Sequence, residues 1–139
     1  VHSLAYLLAR FHDVKLLFVS PEALRIKPGV RDYLDRHGVG YRELTDLRQV
    51  AGEVDVVYVT RAQTERFSHA ERFNHRPGSY VVNRDVLQQM RPQAIVMHPL
   101  PRNEELPAEV DEDPRVVVFQ QAQNGLFVRM ALLSMLLAQ

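Results

Sequence analysis

Cysteine is absent from the 139 residues, which excludes disulfides, thiolate metal sites and a cysteine nucleophile. That absence fits a cytoplasmic location. Neither sign of charge is in excess: 17 Lys and Arg balance 17 Asp and Glu. No net field therefore directs the chain to nucleic acid or an anionic membrane. The most apolar stretch, Leu126 to Ala138, is about thirteen residues long, short of the roughly twenty a bilayer demands. It reads as a buried helix. No secretory leader is visible, because Val1 to Asp13 is amphipathic and carries His2, Arg10 and His12. A glycine-rich phosphate loop and a His-Glu-x-x-His motif are both missing. Ser20, Ser68 and Ser79 lack a nucleophile-elbow setting, and His69 and His75 do not have metal-ligand spacing.

What is present belongs to a soluble globular chain: 46% apolar and 24% charged residues, of a length that suits one domain over residues 1–139. Leu4, Leu7, Leu8 and Phe11 recur at helical spacing, predicting a helix over Val1 to Phe11. Lys15 to Ser20, Asp55 to Thr60, Ala94 to His98 and Arg115 to Phe119 are short apolar runs that read as four buried strands. A brief extended piece covers Gly40 to Glu43. Helices are expected over Gly29 to His37, from an N-cap at Thr45 through Ala51, over Asp85 to Met90 and over Gln121 to Ala138. Strands alternating with helices predict an α/β fold: a doubly wound, Rossmann-like parallel sheet with helices on both faces. Such a domain normally opens on a strand, whereas this chain opens in a helix. The expectation is a domain truncated at its N-terminus and lacking its first strand.

Ligands of doubly wound sheets sit outside the carboxyl ends of the strands. Arg61 directly follows the second strand, and its planar guanidinium suits a carboxylate or phosphate. Gln63 adds an amide that both donates and accepts. An ordinary surface ion pair, with Glu65 or a nearby Asp, is the competing reading of Arg61. After the third strand comes His98-Pro99-Leu100-Pro101. Two prolines remove two backbone donors and stiffen the loop, leaving carbonyls fixed in direction to accept hydrogen bonds. A rigid turn with no ligand is the alternative. His98 reads as a satisfied structural histidine before it reads as an acid or base. Gln120 to Gly125 is a polar cluster, with Asn124 and Gly125 suggesting a kink or tight packing. Arg129, inside the apolar run, either needs a carboxylate across a domain or subunit boundary or reaches solvent.

His98-Pro99-Leu100-Pro101-Arg102 with Glu105 and Asp111, then Phe119-Gln120-Gln121-Ala122 and Asn124-Gly125-Leu126-Phe127-Val128-Arg129-Met130-Ala131-Leu132-Leu133, resemble the carboxyl-terminal signature of the aspartate carbamoyltransferase family. Thr60-Arg61-Ala62-Gln63 with Glu65-Arg66 is similar to its aspartate-recognition segment, and Val1-His2-Ser3-Leu4 to the end of an upstream motif. Thr64 and Asn103 depart from residues common there. Ornithine relatives usually carry Cys where Pro99 stands and lack the Thr-Arg-x-Gln segment, so aspartate is favoured.

The resemblance implies that L-aspartate attacks carbamoyl phosphate in pyrimidine biosynthesis, without metal or organic cofactor. It implies that Arg61 clamps an aspartate carboxylate, Gln63 orients the substrate, and the carbonyls of Pro99 and Leu100 accept from the reacting nitrogens. Glu65 and Arg66 would serve domain closure, and Arg129 and His98 structural or interdomain roles. The family's carbamoyl-phosphate domain is not in this sequence, so the fragment alone is expected to be inactive. Its natural partners would be that domain, a homotrimer, and possible regulatory or multifunctional pathway proteins. The last helix would pack toward the absent domain, leaving an isolated chain poorly soluble. A non-catalytic scaffold, or a transferase for another amino acid such as ornithine, is the alternative.

Overall fold

A computed structural model describes residues 1–61 and 80–138. They fall into two units, one of residues 1–50 with Tyr80 and one of residues 51–61 with 81–138. In the first unit, α1 (His2–Leu8), β1 (Lys15–Val19), α2 (Pro28–Arg36) and β2 (Gly40–Leu44) follow in order. Pro28 suits the first turn of α2, where a missing N–H costs nothing. Val30 and Leu34, four apart, put their side chains on one buried stripe. The helix ends because Gly38 takes a left-handed φ of 66°. There the Gly38 and Val39 N–H groups turn back to the carbonyls of Asp35 (3.1 Å) and Leu34 (3.0 Å). This stop returns the chain as β2, parallel to β1 from Lys15↔Gly40 to Val19↔Leu44. Ala5, Ala9, Ile26, Val30 and Leu34 form the core between helices and strands, with Leu16, Phe18, Tyr33, Val39 and Tyr41 packed around them.

In the second unit, β3 (Val56–Tyr58) and β4 (Ile95–Met97) pair in parallel, with Val56↔Ile95 and Tyr58↔Met97 at the ends of the register. Between them lies α3 (Arg84–Gln89), whose cap is Asn83: its side-chain oxygen accepts the Val86 N–H at 3.1 Å. Val57, Val82, Val86, Leu87, Val96, Leu106, Val110 and Val118 are buried. The chain ends in α4 (Val118–Leu137). The parallel strands and intervening helices are those of an α/β fold, as the sequence predicts.

Four local expectations change. On α1 the buried residues are Ala5 and Ala9, while Leu7 and Phe11 are exposed. Small side chains let α1 approach Val30 and Leu34, and Tyr6 meets Tyr33 edge-on at 4.7 Å. β1 is only half-buried. The helix expected from Thr45 to Ala51 is a single tight turn, Leu47–Gln49, capped by Asp46. Asp46 accepts from both the backbone and the guanidinium of Arg48, which favours a short turn over a marginal helix. The fourth strand is one parallel bridge, Val96↔Val116. A turn at Asp113, whose carbonyl takes the Val116 N–H at 2.9 Å, precedes it, and α4 starts only two residues later.

The end of the chain departs from the buried helix that its apolar run predicts. Val118 is the buried residue of α4. From Leu126 to Leu137 its large apolar side chains are 54% to 79% exposed on this chain, not buried. Apolar residues lie all round the helix, so no one face can cover them. Arg129 is exposed, with its guanidinium lying back toward Gly125. Water solvates its charge, so a buried partner is not required. Among the described residues, no helix is long and apolar enough to cross a membrane.

Two outcomes follow. Leu34→Ala should cost about 2–5 kcal/mol in urea unfolding, because Leu34 is fully buried in the first core. The chain by itself should sediment as self-associated species, and Leu126→Glu with Leu133→Glu should shift it toward monomer. A monodisperse monomer of the unaltered chain in ultracentrifugation would contradict that.

Candidate functional site

Because β3 and β4 are parallel, their carboxyl ends emerge at one edge of the pair. The pairing extends one bond further, with the Val59 N–H donating to the Met97 carbonyl at 2.8 Å. Two residues past Val59 stands Arg61, exposed. Two residues past Met97 stands Pro99, exposed, followed by half-buried Leu100. A guanidinium and a proline-stiffened loop thus leave the same edge. Among the described residues, no hydrogen bond ends on the carbonyls of Pro99 or Leu100, so both acceptors are open. Gln63, Glu65 and Arg66 lie outside the described residues. Arg129 sits on α4 and, among the described residues, makes no hydrogen bond or ion pair. The Gln120 to Gly125 cluster belongs to the early turns of α4 and is not a strand-end loop.

Behind the loop is a polar network. His98 is 1% exposed, the one buried polar side chain among the described residues. Its Nδ1 accepts the Leu100 N–H at 2.9 Å, so the ring proton sits on Nε2 and is donated to Glu105 Oε1 at 2.9 Å. The Asn103 N–H also donates to that oxygen, at 2.8 Å. Burial pushes the Glu105 carboxyl up, but the Asn103 and Glu105 backbone N–H groups and His98 together hold it below its ordinary value. Gln121 reaches from the first turn of α4, its Oε1 accepting the His98 backbone N–H at 2.9 Å. Each buried side-chain polar atom among the described residues has a partner.

A second clamp closes the loop. Arg102 makes a two-pronged ion pair with Asp111, Nη2 donating to Oδ2 at 2.6 Å and Nη1 to Oδ1. The Arg102 guanidinium also stands over the Phe119 ring, 5.7 Å from its centre. The hydrogen bond from Arg102 holds the Asp111 carboxyl below the usual range, and Arg115 does the same for Asp113. Spacing alone does not reveal Glu105 as the partner of His98, nor Gln121 as the anchor of its backbone. The one available signal is that buried His98 requires acceptors and donors nearby. A hollow of about 390 Å³ lined by Arg84, Gln88, Glu109 and Arg115 shares no residue with this edge. Among the described residues, no cluster of His, Asp or Glu is arranged to hold a metal ion.

The sequence matches the family model for the aspartate/ornithine carbamoyltransferase Asp/Orn binding domain over residues 1–136. It is 53% identical to the chloroplastic aspartate carbamoyltransferase of Arabidopsis thaliana over 99% of this chain and 35% of that protein. With the aspartate carbamoyltransferase catalytic subunit of Halorubrum lacusprofundi it shares 46% identity, over 99% of this chain and 44% of the relative. Its fold superimposes on aspartate transcarbamoylase of Trypanosoma cruzi in complex with carbamoyl phosphate, with a TM-score of 0.86 and 36% identity. That match covers 95% of this chain and 44% of the other. The chain therefore spans less than half the length of these relatives.

The carboxyls of Glu105, Asp111 and Asp113 titrate lower folded than unfolded, so the folded state binds fewer protons. Their contribution is complete above the ordinary carboxylate range, near pH 4, and is lost as pH falls through the lowered values. Urea midpoints should hold steady from pH 7 to 5 and drop below about pH 4. Asp111→Asn should lower the pH 7 midpoint and flatten that drop. An unchanged slope in the variant would remove the Arg102–Asp111 pair from the account.

Proposed function

The chain belongs to the aspartate/ornithine carbamoyltransferase family, and from that premise we propose that it forms the aspartate-binding half of an aspartate carbamoyltransferase. One observation carries the reading: Arg61 and the open carbonyls of Pro99 and Leu100 leave the same edge of a parallel strand pair. In this reading the amino group of L-aspartate attacks the carbonyl carbon of carbamoyl phosphate. A C–N bond forms, the C–O bond to phosphate breaks, and the departing phosphate takes up the proton that the nitrogen gives up. The carbonyls of Pro99 and Leu100 accept hydrogen bonds from the reacting nitrogens, so positioning and charge placement supply the rate. Arg61 clamps a carboxylate of aspartate, and Gln63 orients the substrate. Glu65 and Arg66 serve closure of the site.

The charge of Arg61 also bears on specificity. A carboxylate side chain is drawn to a guanidinium at this edge, whereas the ammonium of ornithine is repelled. The remaining length of such a protein would supply the carbamoyl-phosphate half, which would cover the apolar surface of α4. We place the enzyme in pyrimidine biosynthesis and in a homotrimer.

The test is the full-length protein assayed with aspartate and ornithine side by side. Aspartate should be the acceptor, and Arg61→Ala should lower kcat/KM for it about a hundredfold, the worth of a charged hydrogen-bonded pair of about 2–3 kcal/mol. Turnover of ornithine alone, or an Arg61→Ala enzyme as active as its parent, would overturn the assignment.

A further inference from the structure

We propose that His98 is a positioning residue whose Nδ1, by holding the Leu100 N–H, aims the Pro99 carbonyl out of the protein toward the substrate. The inference rests on the functional reading above and adds to it the atom that sets the acceptor's direction. Neither Pro99 nor Pro101 has a backbone N–H, so Leu100 carries the single backbone donor of the Pro-Leu-Pro segment. That donor is the handle by which the loop can be gripped, and His98 Nδ1 takes it at 2.9 Å.

The consequence follows from the planarity of the peptide unit. The Pro99–Leu100 bond is trans, so its C=O and N–H point in opposite directions across one plane. The Leu100 N–H points inward, to a ring that is 1% exposed. The Pro99 carbonyl must then point outward, from a residue that is itself exposed. Leu100 adopts a φ of 47°, a left-handed conformation that costs a side chain roughly 1–2 kcal/mol. Such a backbone persists where its surroundings hold it. Here the hold is relayed through the ring to fixed points. Nε2 is bonded to Glu105, whose own carbonyl takes the Val82 N–H at 2.9 Å, and the His98 backbone is bonded to Gln121. A ring tied at both nitrogens and at its backbone cannot turn without releasing Leu100.

Three substitutions in the full-length enzyme separate aiming from packing. Asn places an amide near the position of Nδ1 and can still accept the Leu100 N–H, but it does not reach Glu105. Gln reaches Glu105 but offers nothing at Nδ1, and Ala does neither. His98→Ala and His98→Gln should raise KM for aspartate at least tenfold, and His98→Asn should recover most of that loss. All three should lower the thermal midpoint. If Gln rescues better than Asn, or if KM merely follows the thermal midpoint across the three, His98 is a packing residue and the inference falls.

A second readout does not depend on turnover. Nitrogen-15 spectra of histidine-labelled full-length enzyme should show His98 with Nδ1 bare and Nε2 protonated, its signals assigned by loss in His98→Asn. A protonated Nδ1 overturns the proposal. Should the parent enzyme fail to use aspartate, the functional reading fails by itself, and the ring signals still decide whether His98 holds Leu100.

Discussion

Parallel pairing of β3 with β4 is the constraint on which the candidate site depends. Parallel strands deliver their carboxyl ends to one edge, so residues 38 positions apart in the chain, Arg61 and Pro99, leave the sheet together. The pairing is tied beyond the strands proper by the Val59–Met97 hydrogen bond. On its other side β4 is flanked by the Val96↔Val116 bridge, which places it between two neighbours. A strand held on both sides makes a stable base for the Pro-Leu-Pro loop that follows it.

That loop is under tension between two demands. Prolines at 99 and 101 stiffen it, and its Pro99 and Leu100 carbonyls take no backbone hydrogen bond among the described residues, but the prolines also leave it almost without donors of its own. The interior compensates with His98, Glu105 and Gln121, drawn from the end of β4, the following loop and the start of α4. Burying a histidine is tolerable because both ring nitrogens and the backbone N–H find partners. Arg102 and Asp111 then close the loop from outside, as a two-pronged pair backed by the Phe119 ring.

Helix α4 obeys a different logic. Its first turn is tied to this network by Gln121 and buries Val118, while its later turns expose leucine, methionine and phenylalanine on every side. A helix apolar all round is stable in water when other protein surface covers it. The same chain spans 35% and 44% of two relatives that it matches almost end to end.

Local signals in the sequence determined the outline. Pro28, the Val30/Leu34 spacing and Gly38 start, orient and stop α2, because each acts through neighbours within a turn or two. The apolar runs around Val57 and Val96 mark their strands, and the residues after them put Arg61 and the Pro-Leu-Pro loop at strand ends. The signature running from His98 to Arg129 carried the family. Tertiary structure decided what depends on residues far apart. It chose Ala5 and Ala9 over Leu7 and Phe11 as the inner face of α1, because the space beside Val30 and Leu34 admits small side chains. It reduced Arg115 to Phe119 to a single bridge, because a turn at Asp113 and the start of α4 leave no room for more. It alone brought Glu105, Gln121 and Leu100 to the two sides of one imidazole. Spacing along a chain encodes periodicity, whereas a hydrogen bond across a fold depends on distances that exist only once the strands have paired.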